Sequence, residues 1–226
     1  MKRFITVILS FLITTTLSAQ EKEFLSAFTA IDVDAQIQLK LVKLKESDAP
    51  YIIFDTKGDK DTRFSFEQKS GTLKIRERHD SQRKNVTEVT IGFCTLSDIT
   101  IAKADTKVEG VLTSRLLDIY ISHNAHFTAE VDVLDIIVYA SGKSRVEISG
   151  HTVYHTADIS SAHYNAQNLQ STSTIVESAH NAVARVNADD RLKMQTSTGG
   201  KIYYHSQPVI LRSRVTTFGG EISRAK

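Results

Sequence analysis

The tightest constraint on this chain is a repeat of about 19 residues. With Ser141 as an origin, a common layout returns at Ser122, Ser160, Ser178 and Ser197, at spacings of 19, 19, 18 and 19 residues. Five positions after each origin stand Phe127, Val146, Asn165, Val183 and Ile202. One and three positions before it stand Ile121 and Ile119, Ala140 and Val138, Ile159 and Ala157, Glu177 and Ile175, and Thr196 and Met194. Most of these are apolar; Asn165, Glu177 and Thr196 break the pattern. Ile99–Val108 reads as a further unit slipped by one residue, and Phe218-Gly219-Gly220-Glu221-Ile222 echoes Thr198-Gly199-Gly200-Lys201-Ile202. Such a period is too short for a helix pair and far short of a propeller blade. It suits short strands joined by tight turns, each turn of chain stacking on the last, with imperfect copies at the ends. The expected fold is all-β, a right-handed parallel β-helix with rungs of about 19 residues. Ile119, Ile121, Phe127, Val138, Ala140, Val146 and Ile148 should point inward. A β-sandwich of evenly spaced hairpins is the competing architecture.

Residues 20–95 lack this regularity. Strand-like runs sit near 30–42, 51–55, 63–67, 72–77 and 86–94, separated by the turn-rich segments 57–60, 70–71 and 80–85. They are either early irregular rungs or an antiparallel cap shielding the first regular rung from edge pairing. The expected organisation is therefore a leader at 1–19, an irregular β portion at 20–95 and the repeat region at 96–226.

The leader is read from order rather than length. Lys2 and Arg3 are followed by an uncharged apolar stretch to Leu17, then Ser18 and Ala19 before Gln20, Glu21 and Lys22. That is the order of a secretory signal peptide. The apolar run is shorter than the roughly 20 residues that span a bilayer. Export to the periplasm, cell surface or medium is expected, with no membrane span in the mature chain. Without Lys2 and Arg3 the 28 basic residues become 26, against 26 acidic ones. A neutral chain is a poor nucleic-acid binder. Cys94 is the one cysteine, so no intrachain disulfide forms, and a buried, inert thiol is expected there.

The corner succession ending in Ser197-Thr198-Gly199-Gly200-Lys201-Ile202-Tyr203-Tyr204, then Pro208, resembles the Bacteroidota-type domain family named putative auto-transporter adhesin, head GIN domain. The opening Phe28-Thr29-Ala30-Ile31-Asp32-Val33 and the Ile37–Leu41 strand are similar to that family's start. The resemblance implies a right-handed β-helix outside the cytoplasm and little chemistry. The sequence departs from the family where Ala162-His163 and Ala179-His180 replace glycine-rich corners.

Catalytic signatures fail one by one. Ser141-Gly142-Lys143-Ser144 suggests a phosphate loop, but the motif's first glycine would fall at Ile137. Asp189 and Asp190 are adjacent, so on a strand they would point to opposite faces; a solvated turn is expected. His123, His163 and His180 fall one, three and two residues after their origins, so no metal-binding column is expected, and surface corners account for them and for His151 and His155. No catalytic residue, metal or cofactor is assigned. Two residues before the origins stand Tyr120, Tyr139, Asp158, Val176 and Gln195. Tyr120 and Tyr139 should stack on the outer face with Ile137 beside them, and they are the candidate ligand-binding residues. The basic cluster Lys74, Arg76, Arg78, Arg83 and Lys84 is interrupted by Glu77 and Asp80 and reads as a charge-guarded edge. The function expected is that of a non-enzymatic exported protein presenting a β-helical surface for adhesion, with a cell-surface glycan or protein as partner. The alternatives are a carbohydrate-active hydrolase or lyase on the same scaffold and a periplasmic structural protein without a dedicated ligand.

Overall fold

The computed structural model describes residues 22–57, 64–78, 85–216 and 218–225. The leader and the segments carrying Gly58, Asp80, Arg83 and Lys84 lie outside the described residues. The chain forms the all-β parallel β-helix expected from its repeat. Eighteen strands and no helix are present among the described residues.

The regular stack is built from β9 (Asp105–Ser122), β10 (His126–Ser141) and β11 (Arg145–Ser160). β10 pairs in parallel with β9 on one edge and β11 on the other, so Tyr120, Tyr139 and Asp158 fall in register. Inward and outward residues alternate along each coil because strand side chains alternate in direction. All seven residues expected inside are buried. The stack continues through β12 (His163–Asn165), β13 (Leu169–Ala179), β14 (Val183–Val186), β15 (Arg191–Thr196), β16 (Gly200–Tyr204), β17 (Ile210–Val215) and β18 (Gly220–Arg224). Corners stack too. Left-handed residues at His123–Asn124, Gly142–Lys143, Ser161, His180–Asn181 and Thr198–Gly199 link coil to coil by main-chain bonds such as Lys143 N–H to Ser161 O at 2.7 Å.

The register differs from the sequence reading at one coil. Ser160 pairs with Ala179, not Ser178, and Ser178 pairs with Thr196. Val176 is therefore inside and Glu177 outside. Ser178 and Thr196 are interior, and each hydroxyl donates to the carbonyl of its own corner, Ala182 O and Gly200 O, both at 3.0 Å. A satisfied hydroxyl tolerates burial, which is why an inward position carries Ser or Thr. Likewise Val146 pairs with Tyr164, so Tyr164 and not Asn165 fills the interior. The slip around Ile99 is real. Ile99 pairs with Ile119 and Asp105 with His126, until a bulge at Gly110 (φ +92) restores the spacing at Val111 and Glu130.

The first coil of the sequence is not the first of the stack. β2 (Ala30–Asp34) lies between β6 (Thr72–Glu77) and β8 (Asp98–Ala102), parallel to both. β3 (Ile37–Lys43) lies likewise between β7 (Thr87–Phe93) and the start of β9. β4 (Tyr51–Asp55) and β5 (Phe64–Lys69) then run antiparallel on β7 and β6, and β1 (Lys22–Phe24) runs antiparallel on β4. The N-terminal portion thus contains both stacked coils and antiparallel strands. Phe54, Phe64 and Phe66 pack together there, with ring centroids 4.9–6.3 Å apart. A single apolar core runs from Phe28 to Ile202.

Candidate recognition face

Three outward columns cross the face that precedes the corners. The outer one reads Thr100, Tyr120, Tyr139, Asp158, Glu177, Gln195 and Arg214. Ile119 and Ile121 point inward, which turns Tyr120 out between them; Val138 and Ala140 do the same for Tyr139. The two rings stack with centroids 4.7 Å apart and planes 7° from parallel. They keep 43% and 40% of their surface exposed, so the N-terminal strands do not cover them. Ile137 is half-buried beside them.

The middle column reads Asp98, Asp118, Ile137, Thr156, Ile175, Lys193 and Arg212. The third carries Leu116, Asp135, Tyr154, Ser173, Arg191 and Ile210. Acids therefore gather at one end of the face and cations at the other. Partial burial, then Asp98 and Asp135, hold the Asp118 carboxyl above the usual carboxylate range. Partial burial, with Asp118 adding to it, raises the Tyr120 phenol, which stays a neutral hydrogen-bond donor. At the cationic end a groove of about 420 Å³ is lined by Ile175, Arg191, Lys193, Ile210 and Arg212 among others.

The other sequence candidates separate. Asp189 and Asp190 lie on the bend between β14 and β15, and their N–H groups donate to Ser171 O and Thr172 O of the neighbouring coil. Asp190 faces Arg191 at 3.5 Å. Among the described residues no group of three or more His, Cys, Asp or Glu could hold a metal ion. In the corrected register His123 and His180 occupy the same corner position, three coils apart, so they do share a column that the sequence reading denied them. His163 sits on β12, outside it. Arg76 binds Asp32 at 2.5 Å, consistent with a structural edge. Cys94 is half-buried, not buried as expected, and its thiol donates to Asp48 O at 3.3 Å.

The sequence reading placed His155 among surface corners, and the structure corrects it. His155 is buried within the helix. Its Nε2 lies 2.8 Å from Tyr164 Oη and its Nδ1 lies 3.2 Å from Thr174 Oγ1. Thr174 contacts Ser171 Oγ at 2.6 Å, and both hydroxyls reach Asn187 O. Its inward position follows from the changed alternation after Thr152, which a strict two-residue pattern hides.

Residues 27–208 match the family described as "Putative auto-transporter adhesin, head GIN domain". No curated protein matches the sequence. A crystal structure of a putative adhesin from Bacteroides fragilis is 16% identical, with a TM-score of 0.75 over 92% of this chain and 96% of that one. A putative adhesin from Parabacteroides distasonis is 18% identical, with a TM-score of 0.65 over the same shares. A putative lipid binding protein from Parabacteroides distasonis is 15% identical, with a TM-score of 0.56 over 93% of this chain and 98% of that one. At these identities the likeness speaks for the fold alone. No helix among the described residues is long and apolar enough to cross a membrane.

Proposed function

This chain belongs to the putative auto-transporter adhesin, head GIN domain family, and on that premise we propose that it is a non-enzymatic exported protein whose tyrosine face binds a cell-surface glycan or protein. The observation that carries this reading is the stacked, half-exposed pair Tyr120 and Tyr139 on an uncovered face. Tyrosine offers contact area and a hydroxyl at low entropic cost, and a rigid sheet holds both rings in place before any partner arrives. The adhesin description of the family and the signal-like leader both fit export. The enzymatic alternative needs an acid and a base converging on a cleft, and the bend that carries Asp189 and Asp190 gives it no support.

Replacing both tyrosines by Ala should weaken attachment to glycan arrays or cell surfaces by tenfold or more, the scale of an aromatic hot spot. Melting should change only modestly, because both rings stand half-exposed on the outer face. A double variant that melts early and attaches like the parent would make the face structural. Turnover of a bound glycan by the parent would return the enzymatic reading.

A further inference from the structure

We propose that the partner of this face is a second copy of the chain, apposed antiparallel so that the acidic end of one copy meets the basic end of the other. The inference rests on the reading of the tyrosine face as a binding surface, and it names the occupant. From Asp98 to Arg212 the middle column is self-complementary, reading Asp98, Asp118, Ile137, Thr156, Ile175, Lys193 and Arg212; beyond Asp98 it continues through the uncharged Ala30 and Thr72. A two-fold axis in the plane of the interface, along the strands at Thr156, places each residue opposite its complement. Asp98 faces Arg212, Asp118 faces Lys193, and Ile137 faces Ile175. In the tyrosine column the same axis sets Tyr139 against Glu177 and Tyr120 against Gln195, two hydrogen-bonding pairs. Tyr154 meets its own copy in the third column. Isologous contact of one patch with itself is the commonest way homodimers close.

Within one copy these charges are not neutralised by an opposite charge among the described residues, although Ser97 Oγ donates to Asp98 at 2.6 Å. Among the described residues Asp98, Asp118, Lys193 and Arg212 make no ion pair. Asp118 stands among other acids: partial burial first, and then the Asp98 and Asp135 charges, raise its carboxyl, and a facing lysine would offset the two charges. Arg191 and Arg214 add to the basic end, Asp135 to the acidic end. The arrangement has two mismatches: Asp158 faces Asp158 across the axis, and Leu116 faces Arg191. The face measures roughly 30 by 18 Å from strand and residue spacings, so two copies bury about 1,000 Å², the lower bound for a specific contact. Such a contact is weak singly and gains strength when many copies are arrayed on two surfaces.

The test is sedimentation of the purified mature chain across concentration and ionic strength. The parent should show a dimer that dissociates as salt rises. One variant, Asp98→Lys with Asp118→Lys, and another, Lys193→Asp with Arg212→Asp, should each be monomeric. Mixed in equal amounts they should form a one-to-one dimer, since each end then meets its opposite. Asp158→Asn should strengthen the parent dimer. All substitutions lie on outward positions, and a melting curve confirms that each variant is folded. A parent that stays monomeric to millimolar concentration at low salt overturns the proposal, as does a mixture that fails to associate. If that monomeric parent still loses attachment to foreign surfaces when Tyr120 and Tyr139 become Ala, the recognition reading stands and self-association alone has failed.

Discussion

Both ring nitrogens of His155 are hydrogen-bonded, and the hydroxyl partners favour one neutral tautomer. Tyr164 Oη donates to Nε2, and Nδ1–H donates to Thr174 Oγ1; the opposite tautomer would leave the tyrosine proton without an acceptor. Burial pushes the imidazole down to about 4 and raises the Tyr164 phenol. The folded state therefore binds this proton less readily than the unfolded chain, whose histidine titrates near 6.5. Stability is full above about pH 6.5 and falls as pH drops from there toward 4, by on the order of 3 kcal/mol from this group. Urea melts at pH 7.5 and 4.5 should show this loss, and His155→Leu with Tyr164→Phe should remove most of it. A parent as stable at pH 4.5 as at 7.5 would contradict it. Thr106 supplies a second residue-scale case. Its hydroxyl is buried and has no partner among the described residues. Thr106→Val should raise stability by about 1 kcal/mol in the same melts, because an unpaired buried hydroxyl is a net cost.

Glycines show what the elements require at their bends. Gly150 sits in β11 at φ +109, and a Cβ there would lie 2.0 Å from Val131 O of β10. Gly71 has φ +76 and open space where its Cβ would be. Gly150→Ala should cost about 3 kcal/mol or more, since strain in the left-handed region adds to a clash with fixed backbone; Gly71→Ala should cost only about 1 kcal/mol. Denaturant midpoints of the two variants give the comparison. The repeat itself was legible because inward residues of a coil must be apolar, and apolar alternation shows in a single sequence. The register of one coil was not. Ser178 resembles the corner serines by type, yet it is interior because its hydroxyl finds Ala182 O nearby. The tyrosine pair was legible because both rungs around it keep the 19-residue spacing. The column beyond it was misassigned at Val176 because the shorter coil comes one unit later than residue types suggest.

At the scale of the whole molecule the order of coils in space departs from their order in sequence, and no local pattern could reveal that. β2 and β3 pair with strands some forty to seventy residues later, on both edges. Stability in a stacked array is a sum of coil and neighbour terms, so a lesion matters according to how many neighbours it has. Val33 is fully buried between Ile75 and Ile101. Val146 is buried between Phe127 and Tyr164, and it is equivalent to Ile202 three coils on. Leu211 pairs with Leu192 on one side only and stays 46% exposed. An aspartate at a buried site is an unpaired charge costing several kcal/mol, whereas at a half-exposed site water still reaches it. Val33→Asp should therefore destabilise as severely as Val146→Asp, although Val33 stands near the start of the chain. Leu211→Asp should cost about 1 kcal/mol by fraying the last coil alone. Melting curves with hydrogen exchange decide it. Val33→Asp should lower the protection of both β6 and β8, and Leu211→Asp should spare everything before β15. If Val33→Asp instead left the strands from β8 onward as protected as in the parent, the first coil of the sequence would be a peripheral addition and its place inside the stack would be wrong.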